Sequence, residues 1–181
     1  MTVLTLTSIA AATVTFLVQA AGLAFTAPKA WQPRAASSSM RVAEFVIPHA
    51  PGDREDAEAI IYFFGGTGGS ADANITRWIG QIQQPDGSSS AEKATRATQT
   101  INGLEVTTVD VSGTYVAEVR PGASEHYNKP GFRLRAAVVR TPRGPYYIKV
   151  TGPAKTVAAA DGDYKALLAS LKASAPPEQR D

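Results

Sequence analysis

The dipeptide Asn102–Gly103, set between two runs suited to extended structure, Ala94 to Ile101 and Leu104 to Val111, limits the fold of this chain more than any other feature. A two-residue reversal needs positive φ at its central positions, which Asn and Gly reach at least cost, so the pattern predicts a tight antiparallel hairpin. A second pair of runs repeats the arrangement. Phe132 to Thr141 and Tyr146 to Thr151 flank Pro142 and Gly144. Strands joined by short reversals pair antiparallel, whereas parallel pairs need a crossover of a dozen residues or more.

The remaining elements fit around those hairpins. Met40 to Ile47 reads as a strand closed by Pro48, and Ala57 to Phe64, apolar or small except at Glu58, reads as a central strand. Ile75, Trp78, Ile79 and Ile82 fall at i, i+3, i+4 and i+7, the spacing of a helix with one buried face; Ser70 is placed to cap it, Asp72 complements its positive end, and Pro85 and Gly87 end it. Tyr164, Leu167, Leu168 and Leu171 repeat that spacing in a helix starting near Gly162. Leu23 to Trp31 is a short apolar segment and Gln32 to Ser39 a polar loop. Thr114 to Val119 continues the sheet before a second polar loop, Arg120 to Gly131. The predicted fold class is α+β, a largely antiparallel β-sheet flanked by helices, in a single domain over residues 22–174 with a disordered tail at 175–181.

Composition narrows the function classes. With 44% hydrophobic and 19% charged residues in 181, the chain can bury a single core. Its 18 basic and 16 acidic residues are interspersed, and a net charge of +2 offers no field for nucleic acid. No cysteine is present, which removes disulfides, thiolate metal sites and cysteine nucleophiles. From Met1 to Pro28 there is no charged residue, and Val18 and Ala20 flank Gln19 in the small-x-small pattern of signal peptidase sites. Residues 1–21 are therefore read as an export segment, cleaved to leave a chain starting near Gly22, which places the domain in the periplasm or outside the cell. The membrane is met only through that segment if it stays uncleaved. An uncleaved anchor and a plain N-terminal helix are the alternatives.

The order of elements, together with Tyr146 to Gly152 leading into a helix that carries Leu167, Leu168, Ser170 and Leu171, resembles the PsbP and Mog1-like group. The resemblance covers Leu23 to Lys172 and implies an α/β/α sandwich around an antiparallel sheet. Asn74 to Gln81, reading NITRWIGQ after a glycine-rich loop, resembles uncharacterised bacterial exported proteins of this type. Members of the wider group act mainly as accessory or binding proteins, for a photosystem or a small GTPase. The resemblance thus offers no catalytic residues to carry over and points away from an enzyme; the chain is read as a monomeric binding module without cofactor, whose partner is a protein or an envelope component.

Candidate binding residues lie in two places. Gly66, Thr67, Gly68, Gly69 and Ser70 lie between a strand and a helix start, where backbone N–H groups can face an anion; Gly66, Gly68 and Ala71 match a relaxed dinucleotide fingerprint, but no lysine follows as in a phosphate-binding loop. The bland alternative is that the glycines let the chain turn and pack closely. On the second hairpin, strand alternation predicts that Phe132, Leu134, Ala136 and Val138 face the core, with Arg133 and Arg135 outward beside Tyr147 and Lys149 as a basic, aromatic patch. The bland alternative is a sheet face open to water. The two histidines, His49 and His126, have no partner at metal-ligand spacing and are read as exposed loop residues. A competing enzymatic reading is a small hydrolase that uses the Gly65 to Ser70 loop to hold an anionic group and His126 as base, although no serine sits in a nucleophile-elbow pattern. Asp53, Glu55, Asp56 and Glu58 form an acidic turn. Trp31 and Trp78 are assigned to packing.

Overall fold

The structure, a computed structural model, describes residues 16–20, 22–66 and 68–174. In chain order the elements are β1 (Phe16–Ala20), β2 (Leu23–Ala27), β3 (Gln32–Arg34), β4 (Arg41–Ile47), β5 (Ala57–Phe63), α1 (Ala71–Ile79), β6 (Ile82–Gln83), α2 (Ser90–Lys93), β7 (Thr95–Ile101), β8 (Leu104–Tyr115), β9 (Lys129–Thr141), β10 (Gly144–Pro153), α3 (Ala154–Ala159), α4 (Asp161–Ala169) and β11 (Lys172–Ala173). Eight strands form the main sheet in the order β3-β4-β5-β10-β9-β8-β6, with β7 also paired to β8, and β1-β2-β11 form a smaller sheet. Among the described residues every pairing is antiparallel. The α+β class predicted from the two hairpins is the observed one.

The first hairpin turns at Asn102 and Gly103, with φ of 48° and 81°, and registers Ile101 opposite Leu104. The second registers Thr141 opposite Gly144. Helix α1 forms where the apolar spacing placed it: the Ser70 side chain accepts a hydrogen bond from the Ala73 N–H, and Ile75 and Trp78 are buried. Each such side chain contributes about 1.5–3 kcal/mol on leaving water. The helix nevertheless ends at Gly80 rather than at Pro85, and Ile82, expected to complete its apolar face, is buried instead from the short strand β6.

The main sheet is covered on both faces. On one, α3 and α4 bring Val157, Tyr164 and Leu167 against Ala59, Ile61, Ile148 and Val139, joined by β2 and Trp31. On the other, Ile75, Trp78 and Ile82 pack on Val109, Leu134, Val138 and Tyr147. Helix α3 was not expected from the sequence. Its start is fixed from a distant part of the chain: the Asp53 carboxylate accepts hydrogen bonds from the Thr156 N–H at 2.9 Å and hydroxyl at 2.7 Å. This acidic turn is therefore partly a helix cap. Strand β3 occupies part of the segment read as a polar loop, and Trp31 is buried as assigned.

Residues 16–20 of the segment read as an export signal form β1; the rest of that segment and the tail at 175–181 lie outside the described residues. Among the described residues no helix is long and apolar enough to cross a membrane.

Candidate functional site

The second covered face of the sheet is not covered throughout. Helix α1 overlies β8, β9 and β10, and the region toward β4 and β3 is left open as a groove of about 300 Å³. Strand register builds its floor, because Val46 stands opposite Glu58 and Glu58 opposite Thr151, so all three point to one side. One wall is aromatic: Tyr115 stacks on Tyr127 with ring centroids 5.6 Å apart and on Phe132 at 6.0 Å. Lys129 lies over the rings of Tyr127 and Phe132 and pairs with Glu55. Across the groove, Arg34 is within 3.4 Å of Glu58.

One atom in this lining is unsatisfied. The Thr151 hydroxyl has no hydrogen-bond partner although the residue is only 5% exposed. Leaving such a group unpaired costs about 1–3 kcal/mol, and native interiors rarely tolerate it without a reason.

Lys149 stands behind the aromatic wall, one row along from Thr151. Its ammonium donates to the Gln81 side-chain oxygen at 2.6 Å and to the Tyr115 hydroxyl at 3.1 Å, and sits over the Tyr115 ring. Burial pushes this lysine down to about 8, with the Arg77 and Arg41 charges adding to the effect and Glu58 opposing it. Burial also pushes the Tyr115 phenol up, so it stays protonated.

The structure separates the residues expected to form the second patch. Val150 is opposite Arg135 and Gly152 opposite Arg133, whereas Tyr147 is opposite Val138 and Lys149 opposite Ala136, which puts the arginines and the Tyr147–Lys149 pair on opposite faces. The outward, basic, aromatic patch is thus corrected. Alternation separates core from solvent only where one face is open, and here helices cover both. Arg133 and Arg135 are held inside by Asp110, on β8, and Asp161, at the start of α4, and the Arg135 guanidinium lies 4.2 Å from the Tyr164 ring centre. Tyr147 is fully buried.

The glycine loop turns its carbonyls inward. The Tyr147 hydroxyl donates to the Gly69 carbonyl at 3.0 Å, and the Asn74 side chain donates to the carbonyls of Gly68 and Ser70 at 2.7 and 3.0 Å. A Cβ on Gly68 would sit 2.7 Å from both the Phe64 and Tyr147 rings, so close packing alone accounts for a glycine there. Gly66 and Gly69 have φ of 88° and 81°. Thr67 lies outside the described residues. Because β5 has only antiparallel neighbours, the parallel unit on which a dinucleotide fingerprint depends is not formed.

His49 pairs with Asp56 at 2.7 Å, and the His126 ring lies 3.1 Å from the Ser124 carbonyl, so neither of these contacts runs to a hydroxyl nucleophile. Among the described residues no cluster of three metal-ligating side chains is found. A larger hollow of about 530 Å³, between the end of α1 and the Ser88–Ala91 segment, has no titratable group in its lining.

No family model matches this sequence. No curated protein matches it either. Among solved structures, the chain is similar to a protein of unknown function from Pseudomonas aeruginosa at 16% identity and a TM-score of 0.46, over 90% of this chain and 99% of that one. It is also similar to PsbP (CyanoP) from Synechocystis sp. PCC 6803 at 11% identity and a TM-score of 0.47, over 93% and 99% of the two chains. At these values the likeness says nothing about function.

The sequence did not single out Thr151, Tyr115, Tyr127 or Phe132 as a site. The available signal was a hydroxyl residue continuing the strand run Tyr146 to Val150, but its opposition to Glu58 needs the register of β5 on β10.

Proposed function

We propose that this chain is an exported accessory protein without catalytic chemistry, which binds a partner protein or envelope component through the groove between β4 and the Tyr115–Tyr127–Phe132 wall. The observation that carries this reading is the unpartnered Thr151 hydroxyl at the groove floor, a buried polar group set between an aromatic wall and a charged rim. Binding sites combine a mainly apolar lining with a few convergent polar groups that fix orientation. Glu58, opposite Thr151 on β5, supplies an acceptor beside it, with Lys149 supporting the wall from behind through the Tyr115 hydroxyl.

Replacing Thr151 with Val tests this directly. Removing an unsatisfied hydroxyl at nearly constant volume relieves its desolvation cost, so the variant is expected to unfold at least about 2 °C higher than the parent. Its recovery of the partner in a quantitative pull-down from the envelope fraction should fall about tenfold, the loss of roughly one hydrogen bond. Undiminished recovery would remove the groove from the function.

Export is supported by the uncharged N-terminal run and by the Val18-Gln19-Ala20 pattern. Intact mass and N-terminal sequencing of the native protein are expected to find a start near Gly22 in the exported fraction. A full-length chain in the cytosol overturns that part of the proposal.

A further inference from the structure

Cleavage before Gly22 would remove β1 from the small sheet, and the consequence for β2 rests on that export reading. Strand β1 lies antiparallel to β2 along its whole length, from Phe16 opposite Ala27 to Ala20 opposite Leu23. On its other side β2 is held independently of β1. The Thr26 N–H donates to the Ser170 hydroxyl at 2.9 Å, the Ser174 N–H donates to the Gly22 carbonyl at 3.1 Å, and β11 pairs with Leu23 and Ala24. Leu23, Phe25 and Ala27 are 0%, 1% and 4% exposed, packed in the core with α4 and Trp31. These contacts are enough to keep β2 in place once β1 is gone.

A cut before Gly22 therefore leaves a fixed strand with one open edge. Backbone groups alternate in direction along a strand, so with Thr26 turned toward Ser170, the N–H and C=O of Leu23, Phe25 and Ala27 face the seat of β1. The sequence of β2, Leu-Ala-Phe-Thr-Ala, has no charge, proline or bulge to guard that edge. Exposed edges in native sheets are normally blunted by such devices, and an unguarded one is a template for another strand.

We infer that the mature protein uses the β2 edge to take up an extended, uncharged strand of a partner, laid antiparallel in the seat of β1. The seat itself indicates what fits. Val18 packs on the core while Leu17 is 62% exposed, so the guest needs an apolar residue where Val18 lies and is unrestricted where Leu17 lies. Main-chain hydrogen bonds supply the affinity and the inward position supplies the selectivity, as in strand addition generally.

The test uses the mature protein from the exported fraction, after its N-terminus has been sequenced. The probe is a synthetic peptide of residues 13–20, end-capped, and the control is the same peptide N-methylated at Val18, which cannot donate to β2. With the probe in tenfold excess over its dissociation constant, amide exchange at Phe25 should slow about tenfold while that at Thr26, already bound to Ser170, stays unchanged. The control should leave Phe25 exchange within twofold of the free protein. Unchanged Phe25 exchange with up to millimolar probe, or equal slowing by both peptides, overturns the inference and leaves export standing. A sequenced N-terminus that still carries β1 overturns the cleavage on which the inference rests, and the open edge with it.

Discussion

Replacing Gly152 with Ala is expected to lower stability by about 3 kcal/mol or more, which for a chain of this size lowers the unfolding midpoint by about 6–12 °C. The reason is purely steric, since Gly152 is in an ordinary strand conformation. A Cβ there would lie 2.2 Å from the Cβ and 2.6 Å from the Cα of Ala57. Ala57 is 2% exposed and opens β5, and the atoms in the way are backbone and Cβ, so no rotamer change relieves the contact. Either β5 withdraws from β10 or the chain entering α3 shifts, and the first opens the groove floor at Glu58 and Thr151. Thermal unfolding followed by circular dichroism measures the effect. Gly162→Ala is the control: nothing lies within 4 Å of its Cβ, and a helical glycine replaced by alanine should gain up to about 1 kcal/mol. If Gly152→Ala unfolds within 1 °C of the parent, the close approach of β5 and β10 is wrong.

The second large effect is expected at Glu44, and its size depends on which partner is removed. The Glu44 side chain exposes no surface, yet it holds a charge. One oxygen accepts from Arg34 at 2.9 and 3.2 Å; the other accepts from the Ser37 N–H at 2.6 Å and hydroxyl at 2.7 Å and lies 3.2 Å from Arg41. Burial alone would raise this carboxyl, but the Ser37 and Arg34 hydrogen bonds and the Arg41 charge outweigh it and hold the group at about 2. Replacing Glu44 with Ala frees two arginines that are 46% and 30% exposed and regain water, so the expected cost is about 2 kcal/mol. Replacing Arg34 with Met leaves a buried carboxylate without the guanidinium that holds one of its oxygens, and the expected cost at pH 7 is larger, about 3 kcal/mol.

The pH dependence separates the two variants. A carboxylate held below its usual 4.5 stabilises the fold fully above that pH, and the contribution is lost as pH falls toward 2. The parent should therefore lose stability over this window, the Glu44→Ala protein should lack that component, and the Arg34→Met protein should begin to lose it at higher pH because its Glu44 protonates sooner. Urea midpoints from pH 2.5 to 7 test all three. A larger loss at pH 7 for Glu44→Ala than for Arg34→Met would contradict the assignment of the buried charge to Glu44.

The features legible in the chain before it packs are local ones. Asn102–Gly103 and the Pro142–Gly144 segment specify reversals through backbone preference, Ser70 specifies a helix start through its side-chain oxygen, and the spacing of Ile75 and Trp78 marks a buried face. Antiparallel pairing and the α+β class follow from those few residues. Whatever depended on contacts between distant segments emerged only with packing. Helix α3 has no cap of its own and starts where Asp53, far away in the chain, reaches Thr156. Arg133 and Arg135 look like solvent-facing residues by alternation, but Asp161 on α4 makes their side of the sheet an interior. Thr151 became a site residue only when β5 and β10 fixed their register and α1 stopped short of β4. Charge, burial and register are properties of pairs of segments, and one segment read alone carries only half of each pair.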